Sequence, residues 1–266
     1  MSPKHIVITG STRGIGFGLA EAFLAHECSV TISGRGQEAV QLAVAGLRSE
    51  QDTNRVLGST CDVTAPEEVQ MLWDQSVKQF GKVDIWINNA GLSGEQGSFW
   101  ELSPDEAKVP IQTNVLGTIY GAQVAMRSML TQGFGAIYNM EGMGSDGRKH
   151  TGLTFYGTSK YAIHYFTESM ALEAKDSPVI IGALRPGMVI TDLIVDRYEK
   201  RPDEWERAKK IFNIIADRVE NVSPWLATQV LKNQKNGAIL AYSSSLKLIW
   251  RFASQPFVKR NLFEKY

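Results

Sequence analysis

Short apolar runs recur along the chain, and between them apolar residues fall every three or four positions. The runs are His5–Thr9, Ser29–Ser33, Val56–Thr60, Val83–Asn88, Gly135–Met140, Val179–Leu184 and Ala238–Tyr242. Most are continuously apolar rather than alternating, as strands covered on both faces are. Strands alternating with amphipathic helices predict βα units and a parallel sheet. Within the helical stretches, Thr64-Ala65-Pro66-Glu67 reads as a capping box with proline in the first turn. Val69, Leu72, Trp73, Val77 and Phe80 follow at helical spacing, and Gly81 ends the segment. Ser223-Pro224 predicts a second helix start of the same kind. The expected fold class is α/β: a Rossmann-type doubly wound parallel sheet of seven strands flanked by helices. One domain over residues 1–266 is expected, since single doubly wound domains reach this length. One stretch departs from the alternation. Asp192 to Val222 is rich in charge and helix formers. It is expected to form a helical substrate lid over the carboxyl ends of the strands, where open α/β sheets bind ligands.

Composition narrows the picture by exclusion. With 28 basic and 28 acidic residues the formal net charge is zero, which gives no electrostatic reason to expect nucleic acid. Two cysteines, Cys28 and Cys61, predict free thiols in a reducing cytosol rather than a disulfide framework. His5, His26, His150 and His164 are scattered, so no metal is expected. No signal or transit peptide is read at the N-terminus, and no run of about 18 apolar residues predicts a transmembrane helix. A cytoplasmic setting follows as the expectation. The tail from Leu246 to Phe263 mixes Trp250, Phe252, Phe257 and Phe263 with Lys247, Arg251, Lys259 and Arg260. Either it touches a membrane surface peripherally, or it folds back over the domain or into an oligomer interface. Pro256 and the polar residues interrupt a continuous apolar face and favour the second reading.

The chemistry begins after the first strand, at Thr9-Gly10-Ser11-Thr12-Arg13-Gly14-Ile15-Gly16. Glycines there let the backbone approach a pyrophosphate, and free N–H groups at the helix start receive the anion. Placement between a first strand and a first helix makes this a dinucleotide signal. The second strand ends Ser33-Gly34-Arg35, without the carboxylate that binds ribose hydroxyls in NAD sites. Arg35 and Arg13 are therefore expected to pair a 2′-phosphate, which makes the expected cofactor NADP(H). Asp62, with Val63 beside it, is placed either to accept from the adenine amino group or to cap the next helix. In Tyr156-Gly157-Thr158-Ser159-Lys160, a phenol and an ammonium lie four residues apart, on one helical face. A neighbouring cation favours phenolate, lowers the tyrosine pKa from about 10 and allows proton exchange with a substrate oxygen.

These motifs occur together with Asn88-Asn89-Ala90-Gly91, Asn114 and Pro186-Gly187, in order and spacing from about residue 5 to 190. The chain thereby resembles the short-chain dehydrogenase/reductase family. The resemblance implies that Asn89, Ala90 and Gly91 stabilise the sheet and border the adenosine ribose. It implies that Asn114 holds a water linking Lys160 to solvent, and that Tyr156 and Lys160 bind the nicotinamide ribose. Pro186, Gly187, Val189 and Thr191 would line the nicotinamide. It also implies a homodimer or homotetramer. The family's catalytic serine usually lies 12 or 13 residues before the tyrosine, at Gly144 and Met143 here, while Glu141-Gly142 stands where a serine pair is common. Ser145 is the candidate replacement; otherwise it is a loop residue.

The loop Asn139-Met140-Glu141-Gly142-Met143-Gly144-Ser145 and the segment Pro186-Gly187-Met188-Val189-x-Thr191-Asp192-Leu193 resemble the chlorophyll(ide) b reductase branch of that family. This implies a carbonyl substrate, chlorophyll(ide) b, whose C7 formyl group would be reduced to hydroxymethyl. Met143, Phe155, Met188, Trp205 and Phe212 are consistent with a broad apolar pocket. Two alternatives stand beside it: an alcohol dehydrogenase or ketoreductase for a smaller substrate, and a cofactor-binding regulatory protein without turnover.

Overall fold

The computed structural model describes residues 3–50, 53–195, 198, 202–254 and 260–263. Seven parallel strands form one sheet. They are β1 (His5–Ile8), β2 (Ser29–Gly34), β3 (Val56–Thr60), β4 (Ile85–Asn88), β5 (Gly135–Met140), β6 (Val179–Arg185) and β9 (Ala238–Ala241), in the order β3-β2-β1-β4-β5-β6-β9. Each expected strand is present, with ends shifted by at most two residues. The chain order reverses at β1 and β4, which opens a crevice at their carboxyl ends.

Alternation along β1 assigns its side chains to two apolar layers. Ile6 and Ile8 pack with residues of α1 (Gly14–Ala25), α2 (Gln37–Glu50) and α9 (Val219–Lys232). Val7 faces the other layer, with Trp86, Ile137 and residues of α3 (Pro66–Phe80), α5 (Gly117–Gln132) and α6 (Thr154–Glu173). Both cysteines are free and buried, and burial pushes the Cys61 thiol up to about 12.

Two expected helix starts differ. The α3 capping box does not form: the Thr64 hydroxyl donates to Asp62 Oδ1 at 2.8 Å, while the Asp62 N–H donates to Glu68 Oε2 at 2.8 Å. Local side-chain bonding therefore closes an Asx turn, and the helix begins at Pro66 behind Ala65. Gly81 ends it in the left-handed conformation, as expected. Helix α9 begins at Val219, before Ser223-Pro224, and encloses Pro224. The missing N–H costs about 3 kcal/mol in a helix interior. Burial of Val222, Leu226, Ala227 and Val230 offsets it, and the Ser223 hydroxyl donates to the Ile15 carbonyl of α1 at 3.4 Å.

The Asp192–Val222 stretch leaves the sheet as α7 (Asp192–Val195) and α8 (Pro202–Ile215), then returns as β8 (Asp217–Arg218), paired to β7 (Val189–Ile190). Its small core holds Ile190, Ile194, Phe212 and Ala216, closed by Leu262 and Phe263 of the tail. The excursion ends at Arg218, since α9 packs on α1 in the main body. The tail folds back here. Arg251 of α10 (Ser245–Ser254) donates to Asp217 Oδ2 at 2.7 Å, and Arg260 donates to Asp217 Oδ1 at 2.9 Å. Phe257 and Lys259 of the expected tail lie outside the described residues, as does the side chain of Lys247. No helix among the described residues is long and apolar enough to cross a membrane.

His5 opens β1, buried beside the Phe80 ring at 4.5 Å between centroids. Its Nδ1 lies 2.6 Å from the Lys82 carbonyl, and its Nε2 lies 2.8 Å from the Thr31 hydroxyl. Burial, outweighing the carbonyl contact, pulls the imidazole down to about 4. Because the folded pKa lies below the ordinary 6.5, the unfolded chain takes up the proton first. Stability is therefore full above about pH 6.5 and declines as pH falls toward 4, approaching a loss of about 3 kcal/mol. Urea unfolding across that window is expected to show the decline, and His5→Asn to flatten it.

Candidate active site

The carboxyl ends of β1, β4, β5 and β6 converge. After β1 the chain turns at Gly10, with φ +60°. The Asn89 side-chain amide donates to the Thr9 and Gly10 carbonyls at 2.9 and 2.8 Å. The Asn89 and Ala90 N–H groups donate to the Thr9 hydroxyl at 3.0 and 3.1 Å. These bonds stitch β1 to β4 and fix the glycine turn. The Ser11 hydroxyl is spent inside the turn, donating to the Ile8 carbonyl at 2.6 Å and accepting from the Ser33 N–H. Gly14, Ile15 and Gly16 open α1.

Residues of this turn fit a dinucleotide on three structural grounds. The α1 N-terminus has no side-chain cap and no acid in its first turn, so its N–H groups remain available to an anion. A Cβ on Gly16 would meet the Asn89 amide and the Gly10 carbonyl, so the cradle tolerates no side chain there. Ser33 Oγ, buried at the end of β2, has no hydrogen-bond partner among the described residues. Arg35 is exposed just beyond it. Arg13 is engaged with Asp192 at 3.6 Å, an exposed ion pair that a ligand can displace at little cost. Thr191 comes to the other side of the turn, its methyl 3.5 Å from where a Gly14 Cβ would be. Pro186 and Gly187 follow β6, and Val189 is buried in β7. Asp62 Oδ1 accepts from the Thr64 N–H at 2.9 Å as well as from its hydroxyl, and Val63 is buried against Gly117.

Tyr156 and Lys160 lie on α6, 8% and 4% exposed. Lys160 Nζ is 5.9 Å from the centre of the Tyr156 ring and donates to the Met140 carbonyl at 3.0 Å. Burial draws the ammonium down to about 8, opposed by the carboxylate of Glu141. Gly142 gives the phenol its room: a Cβ there would sit 2.6 Å from the Tyr156 hydroxyl. Gly91 faces Lys160 Nζ and Asn114 Oδ1. Asn114 is fully buried in a one-turn π-helical bulge, Ile111–Leu116, between α4 (Pro104–Pro110) and α5. Such bulges often mark functional positions. Its amide donates to the Leu92 carbonyl and the Ser159 hydroxyl, both at 2.9 Å.

Ser145 turns inward. Its hydroxyl donates to the Lys160 carbonyl and accepts from the Gly142 N–H, both at 3.1 Å, and the residue is 1% exposed. These bonds tie the loop to α6. Sequence reasoning passed over Glu141 as a partner of the site. It is buried, with Oε2 receiving Arg185 Nε at 2.6 Å and Oε1 lying 2.7 Å from His164 Nδ1. No local spacing signals it, since its partners lie 23 and 44 residues away.

A cavity of about 500 Å³ opens beside the loop. Met143, Leu153 and Met188 line it with Ile194, Tyr198 and Phe212 of the excursion, and Gln96, His150 and Glu204 add polar groups. Of the expected apolar residues, Met143, Met188 and Phe212 are brought together. Trp205 packs in the small core against Tyr198 and Phe263, and Phe155 does not line the cavity.

A doubly wound sheet with a glycine turn before α1 and a Tyr–Lys pair on α6 defines a nicotinamide-dependent oxidoreductase. The short chain dehydrogenase family model matches residues 4–202, and the chain belongs to the short-chain dehydrogenase/reductase family, whose members act on carbonyl and CH–OH groups. It is 35% identical over 242 residues to chlorophyll(ide) b reductase NOL of Arabidopsis thaliana, covering 89% of this chain and 68% of that protein. It is 30% identical over 263 residues to the probable chlorophyll(ide) b reductase NYC1 of the same plant, covering 93% of this chain and 52% of that one. The chain thus spans about half to two thirds of these relatives. Both are named chloroplastic, a setting different from the cytoplasm expected of this chain. Among solved structures, ElxO with NADP bound superposes with a TM-score of 0.79 at 26% identity, covering 90% of this chain and 97% of that one.

Proposed function

We propose that the protein is an NADPH-dependent carbonyl reductase of chlorophyll(ide) b reductase type, reducing a C7 formyl group to hydroxymethyl. The observation that carries the reading is the buried Tyr156–Lys160 pair, one residue away, through Gly142 and Met143, from a cavity of about 500 Å³ with apolar and polar lining. When bound, the nicotinamide supplies the hydride. The chain's residues do the rest. Tyr156 donates its phenol proton to the carbonyl oxygen as negative charge develops there. Lys160 holds positive charge beside the phenol, and Asn114 fixes the turn behind it. Gly10, Gly14 and Gly16 admit the diphosphate, with Ser11, Ile15 and Thr191 around it. Asp62 and Val63 border the adenine, and Asn89, Ala90 and Gly91 the adenosine ribose. Pro186, Gly187 and Val189 shape the nicotinamide wall. Ser145 positions the loop and Lys160, and the excursion from Asp192 to Arg218 serves as the substrate lid of the single domain. Exposed Tyr161, Tyr165 and Leu172 on α6 suit a homodimer or homotetramer.

The narrow claim is tested by NADPH consumption with chlorophyllide b against a panel of simple aldehydes, ketones and steroids. Turnover of the panel without the pigment leaves a short-chain ketoreductase for smaller substrates. No turnover of any carbonyl, with NADPH still bound, leaves a cofactor-binding regulatory protein.

Preference for the phosphorylated cofactor rests on Arg35, exposed at the end of β2 with no carboxylate beside it. A charge-assisted contact of about 1.5–3 kcal/mol converts to about 10–100-fold. Arg35→Ala is therefore expected to raise the KM for NADPH by that factor while leaving the NADH value nearly unchanged. Steady-state kinetics with both cofactors checks it.

A further inference from the structure

Beyond the acid–base pair lies a buried carboxylate that the reaction scheme above does not use. Glu141 is 2% exposed and follows β5 directly. A carboxylate in such a place is costly unless it is paired. Two partners from different elements hold it: Arg185 at the end of β6 and His164 on α6, with N–O distances of 2.6 and 2.7 Å. Its backbone N–H donates to the Leu184 carbonyl at 2.9 Å, so the residue is fixed against β6.

This segment also wraps Lys160. The Met140 carbonyl accepts from Lys160 Nζ, and a Cβ on Gly142 would lie 3.2–3.3 Å from the end of the lysine stem. Glu141 stands between those two positions. The neighbours of Lys160 at the ends of the other elements, Gly91 and Asn114, carry no charge. The charged and titratable groups around it are Tyr156 and His164 on its own helix, Glu141 from the loop after β5, and Arg185 behind Glu141 on β6. His164 continues to Glu168, whose carboxylate is 3.6 Å from His164 Nε2 and mostly exposed. A small cavity lined by Glu141, His164, Thr167 and Glu168 lies at this end. Tyr156, Lys160, His164 and Glu168 therefore form one stripe on α6, from the phenol to the surface, with Glu141 set against its middle.

We propose that Glu141 is a positioning residue of the reaction: a buried counter-ion that keeps Lys160 charged beside Tyr156, with Arg185 and His164 setting how strongly it acts. The proposal rests on the reading of Tyr156 and Lys160 as the acid–base pair. Burial alone works against a charged Lys160, and Glu141 is the group that opposes it.

Charge predicts opposite signs for two variants. Glu141→Gln removes the counter-ion and leaves the Arg185 guanidinium without its carboxylate. Arg185→Gln keeps a donor for the carboxylate but removes the competing cation. In kcat/KM against pH, which reports the free enzyme, Glu141→Gln is expected to move the alkaline limb down by about one pH unit. The loss is then about tenfold above pH 8 and small at pH 6. Arg185→Gln is expected to move the limb up. Limbs that stay in place, move in the same direction, or give way to an even loss at all pH overturn the proposal in favour of a packing role. The titration of Lys160, followed by NMR of the protein labelled with 15N at lysine Nζ, should shift with the same two signs. That measurement needs no turnover. If the wild type reduces no carbonyl compound, the acid–base reading fails, while the NMR shifts still decide whether Glu141 sets the charge on Lys160. Where Glu141→Gln does not fold, the sign of the Arg185→Gln shift decides alone.

Discussion

Tyr156→Phe is expected to lower turnover of any carbonyl substrate by about 10²–10⁴-fold, the usual contribution of a placed general acid. The phenol is 8% exposed, and its oxygen fits against Gly142, where no side chain could stand. Removing one oxygen leaves the ring, its packing and the neighbouring ammonium in place. The helix and the glycine turn lie on other contacts, so NADPH binding by fluorescence titration should weaken by about tenfold at most, the worth of one lost hydrogen bond to the nicotinamide ribose, far less than the loss of rate. That split separates an enzyme from a binding protein. A wild type that turns over and a Phe variant that binds NADPH but does not turn over establish the role. Equal rates for the two proteins would remove Tyr156 from the chemistry.

The fold was legible because its strands are buried on both faces, which writes them as continuous apolar runs that few other structures produce. The glycine turn and the Tyr156–Lys160 pair were legible for a related reason: each is local, and its spacing alone places it on a strand–helix junction or on one helical face. What stayed hidden depends on a local competition between side chains at Thr64 and, elsewhere, on contacts between segments distant in sequence. Thr64 had the composition of a cap, yet Asp62 and Glu68 offered competing bonds. Pro224 had the look of a helix start, but the buried face of α9 extends four residues upstream and overrides it. Asn114 could be named, while the π-helical bulge that holds it could not, since the bulge has no apolar period of its own. Ser145 was chosen by its distance in sequence from Tyr156. The direction of its hydroxyl depends on the Gly142 N–H and the Lys160 carbonyl, which only the folded loop brings together. Glu141 shows the same limit from the other side. Its partners, His164 and Arg185, lie 23 and 44 residues away.

Gly10→Ala should weaken cofactor binding at least about tenfold and destabilise the fold, and Gly81→Ala measures how much of the destabilisation comes from the backbone alone. Both glycines have positive φ, +60° and +80°. A side chain at either costs about 1 kcal/mol or slightly more for the left-handed conformation. At Gly81, the C-cap of α3, nothing lies within 4 Å of an added Cβ, so the cost ends there. At Gly10 the added carbon would lie 2.6 Å from the Ala90 Cα and 2.9 Å from its Cβ. Backbone cannot rotate out of the way as a flexible side chain does. The four bonds between Thr9–Gly10 and Asn89–Ala90 also leave β4 no freedom to retreat without breaking them. Overpacking adds about 1–3 kcal/mol to the backbone strain, so Gly10→Ala should cost about 3 kcal/mol where Gly81→Ala costs about 1. Urea unfolding of the two variants reads that difference. The larger consequence is at the site. Any relief of the clash moves the turn away from Asn89 and misaligns the α1 N–H groups with the diphosphate. NADPH affinity is therefore expected to fall by at least about tenfold in Gly10→Ala, at temperatures where it remains folded, and to stay unchanged in Gly81→Ala. Equal affinities in the two variants would mean that the glycine turn does not carry the cofactor.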